Sequence, residues 1–279
     1  MDVEGPDRVP FLQGQLTQDV KAMRPGETRA AAGLTPKGKL LFVARLHALP
    51  DRLRLLLRPA SGESVLTHLR KYAAFQKVTV SDSSDAFLRV GLYGAASAED
   101  LPEGATVLPG EGEFVGEILA PATARDELGA WLSARSLRPI SEEEAEVRRV
   151  EAGRARFGQD ATESNLPDEV GLDEAISMTK GCYVGQEIVA RMRTYGRANR
   201  RLVGFRFPEG AISAGSLLML PEESEPGKIE QGRVTSSVLS PRFGAIGLGY
   251  AFREVPPGGR LICVADPSRG AIVADLPFA

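Results

Sequence analysis

Lys180-Gly181-Cys182-Tyr183-Val184-Gly185-Gln186-Glu187, followed by the helical pattern Ile188-Val189-Ala190-Arg191-Met192-Arg193, is the stretch on which the reading of this chain turns. Two glycines near a cysteine let the backbone turn tightly, and a helix opening just after them would aim its N-terminal amides at the thiol. Lys180 adds a cation two positions away. Both effects favour the thiolate, which is the environment of a reactive cysteine. The spacing by itself describes a small buried hydrophobe equally well, the commoner fate of a free cysteine, and ranks that reading first. Cys263, between Ile262 and Val264 in a β-run, has none of these features and reads as core.

Upstream, Arg149-Val150-Glu151-Ala152-Gly153-Arg154 closes an amphipathic segment. Glu151 stands where the chain changes direction, so its carboxylate could face a cleft and accept two parallel hydrogen bonds from a planar ligand with adjacent N–H donors. The plainer reading pairs it at the surface with Arg149 or Arg154. Downstream, Arg191, Arg193, Arg197, Arg200 and Arg201 form a basic run that suits a polyanion, and equally a solvated face at a domain junction.

Composition bounds these readings. The 279 residues are 43% hydrophobic and 25% charged, the average of globular proteins. A chain of this length buries roughly 75% of its unfolded surface, so a packed core is expected, and it exceeds one typical domain, so two or more are expected. The 34 Lys and Arg against 37 Asp and Glu leave a net charge of −3, too balanced for a surface built wholly around nucleic acid or anionic lipid. No aromatic-interleaved basic patch is read in the sequence, so stable nucleic-acid binding is not expected. Cys182 and Cys263 lie 81 positions apart without CxxC spacing, so neither a disulfide framework nor a zinc site is readable and a reducing compartment fits. The acidic start, Met1-Asp2-Val3-Glu4, lacks the basic and apolar regions of a targeting peptide. The apolar run Leu40 to Ala44 is far below the ~20 residues of a membrane span. A soluble, cytoplasmic monomer without membrane attachment is expected. GxGxxG, P-loop and GxSxG patterns are missing, and His47 and His68 are too isolated for a His-rich metal site, which argues against an NTPase, a hydrolase or a metal centre.

Periodicity gives the organisation. A short strand leads into a helix with Asp7 as its cap and Phe11, Leu12 and Leu16 on one face, weakened by Gly14. A strand, the Pro36-Lys37-Gly38-Lys39 turn and a strand from Leu40 to Leu46 make a hairpin, with Arg52 to Arg58 beside it. A helix carrying Val65, Leu66 and Leu69, strands at 78–80 and 87–93, turns and short strands over 104–116, and a helix over 123–135 follow in α+β order. Ser141 and Glu144 form a capping box. From 201 the texture becomes short β-runs at 202–207, 233–238, 245–252, 261–265 and 271–274, the pattern of a small antiparallel barrel. Residues 1–200 are therefore an α+β region and 201–279 a barrel, with Pro221 to Lys228 a polar loop inside the latter.

The K-G-C-[FY]-x-G-Q-E segment, together with Phe11-Leu12-Gln13-Gly14-Gln15-Leu16-Thr17-Gln18-Asp19-Val20, Lys37-Gly38-Lys39, Lys71-Tyr72 through Lys77-Val78, Glu151-Ala152-Gly153 and Val234-Thr235-Ser236-Ser237 with Ser240-Pro241, resembles the YgfZ-type folate-binding proteins. These are relatives of the glycine-cleavage T-protein that serve iron–sulfur enzyme assembly or repair. The resemblance runs over nearly the whole chain. It implies an α+β, T-protein-like three-part ring with two ferredoxin-like portions and a C-terminal antiparallel β-barrel around a central folate cleft. It implies tetrahydrofolate or a derivative as cofactor, Glu151 as the holder of the pterin ring, Lys180, Gln186 and Arg191 as further folate-binding candidates, and Cys182 as the functional thiol. The 2-amino group of a pterin beside its ring N–H is the paired donor edge that a carboxylate needs.

One departure separates this chain from the aminomethyltransferases, which have an Asp-Asp pair after the hairpin turn where Phe42 and Val43 stand here. An apolar pair cannot move a proton or manage charge, so ordinary T-protein aminomethyl transfer is not expected while folate binding is. The implied function is a folate-binding accessory protein for iron–sulfur enzymes, with tRNA-modifying ones among the candidates and those enzymes or their assembly proteins as partners. The alternatives are a folate-dependent aminomethyl or methyl transferase and a module binding RNA or a client protein through Arg191 to Arg201.

Overall fold

The computed structural model describes residues 1–58, 61–94, 99–196, 198–221 and 230–279. The chain divides into two compact units that interleave along the sequence. One holds Met1–Ala32, Val43–Ile140 and Ser177–Cys182; the other holds Gly33–Phe42, Ser141–Ile176 and Tyr183–Ala279.

The first unit is built on β1 (Asp2–Glu4), α1 (Arg8–Gln15), β2 (Thr28–Leu34), β3 (Leu40–Ala48), β4 (Arg52–Leu56), α2 (Gly62–Ala73) and β5 (Thr79–Ser81), with the tips of β2 and β3 assigned to the other unit. The sheet order is β2-β3-β4-β1-β5. Along the start of β3, Leu40, Phe42 and Ala44 are buried while Leu41, Val43 and Arg45 are half-buried, the period of two that puts alternate side chains on opposite faces. Strand β1 has only three residues, and a charge pair adds to its ladder. Asp2 faces Arg54 across β4, and its carboxylate receives Arg54 Nε at 2.6 Å and Nη2 at 2.7 Å, both side chains being buried. The Arg54 guanidinium also lies 3.8 Å from the centre of the Phe87 ring. Asp7 precedes α1 as expected, but its side chain does not cap the helix; its carboxylate accepts the backbone N–H of Lys77 at 2.9 Å instead. Gly14 is accommodated because α1 ends one residue later.

Beyond this sheet, β6 (Phe87–Tyr93), β7 (Thr106–Glu111) and β8 (Phe114–Pro121) form a three-stranded sheet in the order β6-β8-β7. Helix α3 (Arg125–Ala134) covers it with Leu128 and Trp131 against Leu92, Ile118 and Ala120.

The second unit contains α4 (Glu142–Glu151), α5 (Pro167–Val170), α6 (Gln186–Tyr195) and six strands: β9 (Arg200–Arg206), β10 (Leu217–Met219), β11 (Gly232–Ser240), β12 (Gly244–Phe252), β13 (Arg260–Cys263) and β14 (Gly270–Ala274). The strands close into an antiparallel barrel, β10-β11-β12-β9-β14-β13, filled by Phe205, Phe207, Leu218, Val234, Leu261 and Val273. Every barrel strand lies from Arg200 onward, while the compact units interleave earlier in the chain. Strand β10 is not legible in the sequence because three residues are too few to show a period. Of the expected loop at 221–228, all but Pro221 lies outside the described residues.

Helix α4 starts as its sequence directs, Ser141 Oγ accepting the Glu144 N–H at 3.0 Å. Gly153, the residue after its C-cap Ala152, has φ +66°; a Cβ there would stand 2.8 Å from the Leu276 side chain, so both conformation and space require glycine. Val150 packs the helix onto Ile246, Leu248 and Phe278.

The Asp2–Arg54 pair gives a test. Burial works against charge on Asp2, but the hydrogen bonds and charge of Arg54 outweigh it and hold the carboxyl below its ordinary value. A lowered folded pKa stabilises the fold above the ordinary carboxylate range, and the contribution is lost as pH falls through the folded value. Asp2→Ala leaves a buried guanidinium unpaired and should cost about 3–5 kcal/mol at neutral pH. Urea unfolding should show this loss, with the gap to wild type narrowing in acid.

Candidate functional site

The segment around Gln13 folds about its own side chains. Gln13 Oε1 accepts the N–H groups of Val20 and Lys21 at 2.7 and 3.1 Å, and its Nε2 donates to Asp19 Oδ1 at 3.0 Å. This curls the chain so that three carbonyls converge. Lys180 Nζ donates to the carbonyls of Gln13, Leu16 and Gln18 at 2.7, 2.5 and 2.9 Å. The ammonium has three protons and these carbonyls engage all of them. Burial pushes the lysine pKa down from 10.5 to about 8, with the Asp19 carboxylate opposing the shift. The cation expected beside the thiol is therefore turned into the wall of the unit.

Cys182, two residues on, is exposed, whereas Cys263 is buried in the barrel core as expected. Cys182 opens onto a shallow cavity of about 390 Å³ whose polar lining includes Gln13, Asp19, Lys21, Thr179 and Lys180. The commoner reading of Cys182 as a small buried hydrophobe is overturned by this exposure.

The rest of the motif lies in the second unit. Tyr183 is buried. Gly185 has φ +84°, and a Cβ there would be 2.6 Å from the Thr35 carbonyl oxygen, so this glycine is required on both counts. Gly181 is not among the glycines with positive φ, so only one of the two serves the tight turn. Helix α6 begins at Gln186, two residues earlier than its apolar pattern suggests. Gln186 is half-buried in its first turn. Arg191 is exposed and pairs with Glu187 one turn back at 3.1 Å.

Glu151, the last residue of α4, is 8% exposed. It pairs with neither Arg149 nor Arg154. Ser240 Oγ, at the end of β11, donates to its Oε1 at 2.5 Å, and Arg242 Nη1 lies 3.7 Å from its Oε2. A carboxylate has about four acceptor positions, and one side-chain hydrogen bond among the described residues, with Arg242 beside the second oxygen, leaves acceptor capacity unused. Arg149 belongs to a different network. Its guanidinium reaches Glu146, Asp160 Oδ2 at 2.7 Å and Ser236 Oγ at 2.7 Å. Asp160 Oδ1 in turn accepts from Thr235 and Ser236, both at 2.6 Å, and Tyr250 donates its hydroxyl to the Asp160 carbonyl at 2.7 Å. This network ties α4 to β11 and holds Glu151 in place.

The basic run is largely neutralised. Arg193 pairs with Asp168 and Asp173, Arg200 pairs with Glu169, and Arg201 donates to the Val255 carbonyl. Arg197 lies outside the described residues. Phe42 is buried with its ring over Gly33, where a Cβ would come within 2.3 Å of it, so a packed hydrocarbon occupies the position at which the aminomethyltransferase pattern has a carboxylate. Among the described residues no group of three or more His, Cys, Asp or Glu is arranged to hold a metal ion, and no helix is long and apolar enough to cross a membrane.

No family model matches the chain. The tRNA-modifying protein YgfZ of Yersinia pseudotuberculosis is 31% identical over 261 residues, covering 85% of this chain and 75% of that protein. The chain belongs to the YgfZ family. The YgfZ protein of Edwardsiella ictaluri is 28% identical over the whole of this chain and 89% of its own length. The crystal structure of the glycine cleavage system aminomethyltransferase T from Bartonella henselae matches with a TM-score of 0.86 at 21% identity, over all of this chain and 83% of that one. The fold is thus the T-protein-like α+β fold with a C-terminal antiparallel barrel.

In this member of the family Glu151, Lys180 and Cys182 stand out in the sequence, but the groups that contact them do not. Ser240, Arg242 and Asp160 carry no local signal, because each meets a partner 75 or more positions away. The Gln-Gly-Gln-Leu-Thr-Gln-Asp run does carry one, since so polar a stretch beside buried Leu12 and Leu16 must satisfy itself internally.

Lys180→Met removes the donor from three carbonyls at similar side-chain length and should cost about 2–4 kcal/mol in urea unfolding. The pH dependence has a definite sign. Between about 8 and 10.5 the unfolded lysine holds its proton while the folded one releases it, so stability relative to Lys180→Met rises through that window. Paired unfolding curves at neutral and alkaline pH check the sign.

Proposed function

We propose that this chain is a folate-binding accessory protein that acts in the cytoplasm and supports the assembly or repair of iron–sulfur enzymes, tRNA-modifying ones among them. The observation that carries the reading is Glu151, a buried carboxylate with a single serine donor and open acceptor positions. That is the chemistry that fits the 2-amino and ring N–H edge of a pterin. Glu151 would hold the pterin, with Ser240 fixing the carboxylate and Arg242 facing its second oxygen. Gln186 and Arg191, in the first two turns of α6, are candidates for the remainder of the folate, Arg191 for a tail carboxylate. Lys180 contributes through the architecture of the Cys182 cavity. When bound, tetrahydrofolate supplies one-carbon carrier chemistry. Cys182, exposed at the cavity rim, is the functional thiol of the proposal. The names of the Yersinia and Edwardsiella relatives, which place those proteins in tRNA modification, support the reading.

The aminomethyltransferase alternative is disfavoured by Phe42. Its ring is packed against Gly33, so no charged group is available there to take or give a proton.

Three measurements test the proposal. Glu151→Gln puts an amide donor against a pterin donor, so calorimetry should show tetrahydrofolate binding weakened by about 1–3 kcal/mol. Equal affinities would remove Glu151 as the anchor. For the thiol, Cys182 should alkylate faster than Cys263 at neutral pH, and bound folate should slow it. Cys182→Ser should stay folded and bind folate yet fail to restore iron–sulfur enzyme activity to cells lacking the gene. Full rescue by the serine variant, together with alkylation no faster than at Cys263, would remove the Cys182 thiol from the function.

A further inference from the structure

The most exposed large apolar side chain among the described residues is Phe75, at 97% of its full accessibility, and Tyr72 is 40% exposed. Both stand at the C-terminal end of α2 and the turn after it, in His68-Leu69-Arg70-Lys71-Tyr72-Ala73-Ala74-Phe75-Gln76-Lys77. The helix buries Val65, Leu69 and Ala73, while along the flank of that face His68 is half-buried and Tyr72 exposed, their rings 5.0 Å apart between centroids. From Ser64 to Ser81 the sequence contains Arg70, Lys71 and Lys77 and no Asp or Glu. Arg70, Lys71 and Lys77 are all exposed. The Arg70 side chain is oriented by Nε donating to the Val80 carbonyl at 3.0 Å, and Lys77 by its backbone N–H on Asp7. No aromatic-interleaved basic patch is expected from the sequence of this chain; the fold exposes one.

We propose that this end of α2 is a docking surface for unpaired RNA, with Phe75 and Tyr72 stacking on bases and Arg70, Lys71 and Lys77 meeting phosphates. Charge complementarity selects an anion as the partner, and a projecting aromatic ring beside cations is the platform on which splayed-out bases stack. An acidic folded protein fits less well, because a stable protein interface buries about 800 Å² on each partner, more than two rings and three cations at one helix end supply. The choice of RNA as the polyanion rests on the tRNA-modification reading above. The surface itself shares no residue with the folate candidates.

Fluorescence anisotropy with a short labelled single-stranded RNA and the full-length protein tests it, and every substituted side chain is exposed, so folding should be kept. Wild type should bind the strand more tightly than a duplex of the same sequence. Phe75→Ala should weaken binding by about tenfold. The Lys71→Glu, Lys77→Glu double variant should weaken it further and lower the slope of log K against log salt by about 1.4, at roughly 0.7 for each phosphate of a single strand that is no longer neutralised. Binding untouched by Phe75→Ala, preference for the duplex, or equal competition by a polyglutamate peptide would overturn the proposal. Tetrahydrofolate titration of the same samples reports on the folate reading separately, so either can fail alone.

Discussion

A lysine ammonium buried against three main-chain carbonyls is the constraint on which the Cys182 cavity depends. The carbonyls of Gln13, Leu16 and Gln18 converge only because the intervening residues curl around the Gln13 side chain. Without a cation at their focus they would present three partial negative charges to one another in a region poor in water. Lys180 resolves that conflict across more than 160 positions of sequence. Its cost is the desolvation expressed in its lowered pKa. The segment from Ser177 to Cys182 is drawn into the first unit, and the chain passes into the second unit at Tyr183, directly after the exposed thiol.

The second unit solves a similar problem with paired charges. A buried guanidinium is tolerable when every donor meets an acceptor. Arg149 meets this through Glu146, Asp160, Ser236 and the Arg154 carbonyl. The same contacts fasten the last turn of α4 to β11, which delivers Glu151 to Ser240 one helical step later. On the proposed reading Glu151 receives the ligand because it accepts from few partners, while Arg149, two positions before it, is fully supplied.

Period and punctuation suffice to read β3, α2, α3, the Ser141 cap and five of the six barrel strands, since each expresses burial or capping within a few residues. The sixth strand, β10, is too short to carry a period. Asp7 misleads because its helix-capping position competes with a tertiary acceptor role on the Lys77 amide, which no local pattern reports. At the site, Glu151 and Cys182 are visible as residue types in unusual settings, but the inward aim of Lys180 is not. A lysine beside a cysteine looks electrostatic in one dimension, and only the curled Gln13 segment supplies the better partners. The Arg191 to Arg201 run fails for the same reason: its carboxylates come from Asp168, Glu169 and Asp173, well upstream. The aromatic patch at Tyr72 and Phe75 is hidden because whether an aromatic residue is core or surface depends on which side of α2 the rest of the fold covers.

The contact between Phe42 and Gly33 bears on how this chain could change over evolutionary time. The ring fills the space that a Cβ at position 33 would take, so the two residues are matched as a large and small pair. Restoring a carboxylate at position 42 by one substitution would open a void above Gly33 and place an unpaired charge among apolar neighbours. Filling position 33 first would collide with the ring. Each single step is thus penalised before its partner arrives, so a carboxylate at this hairpin requires coordinated change at both positions.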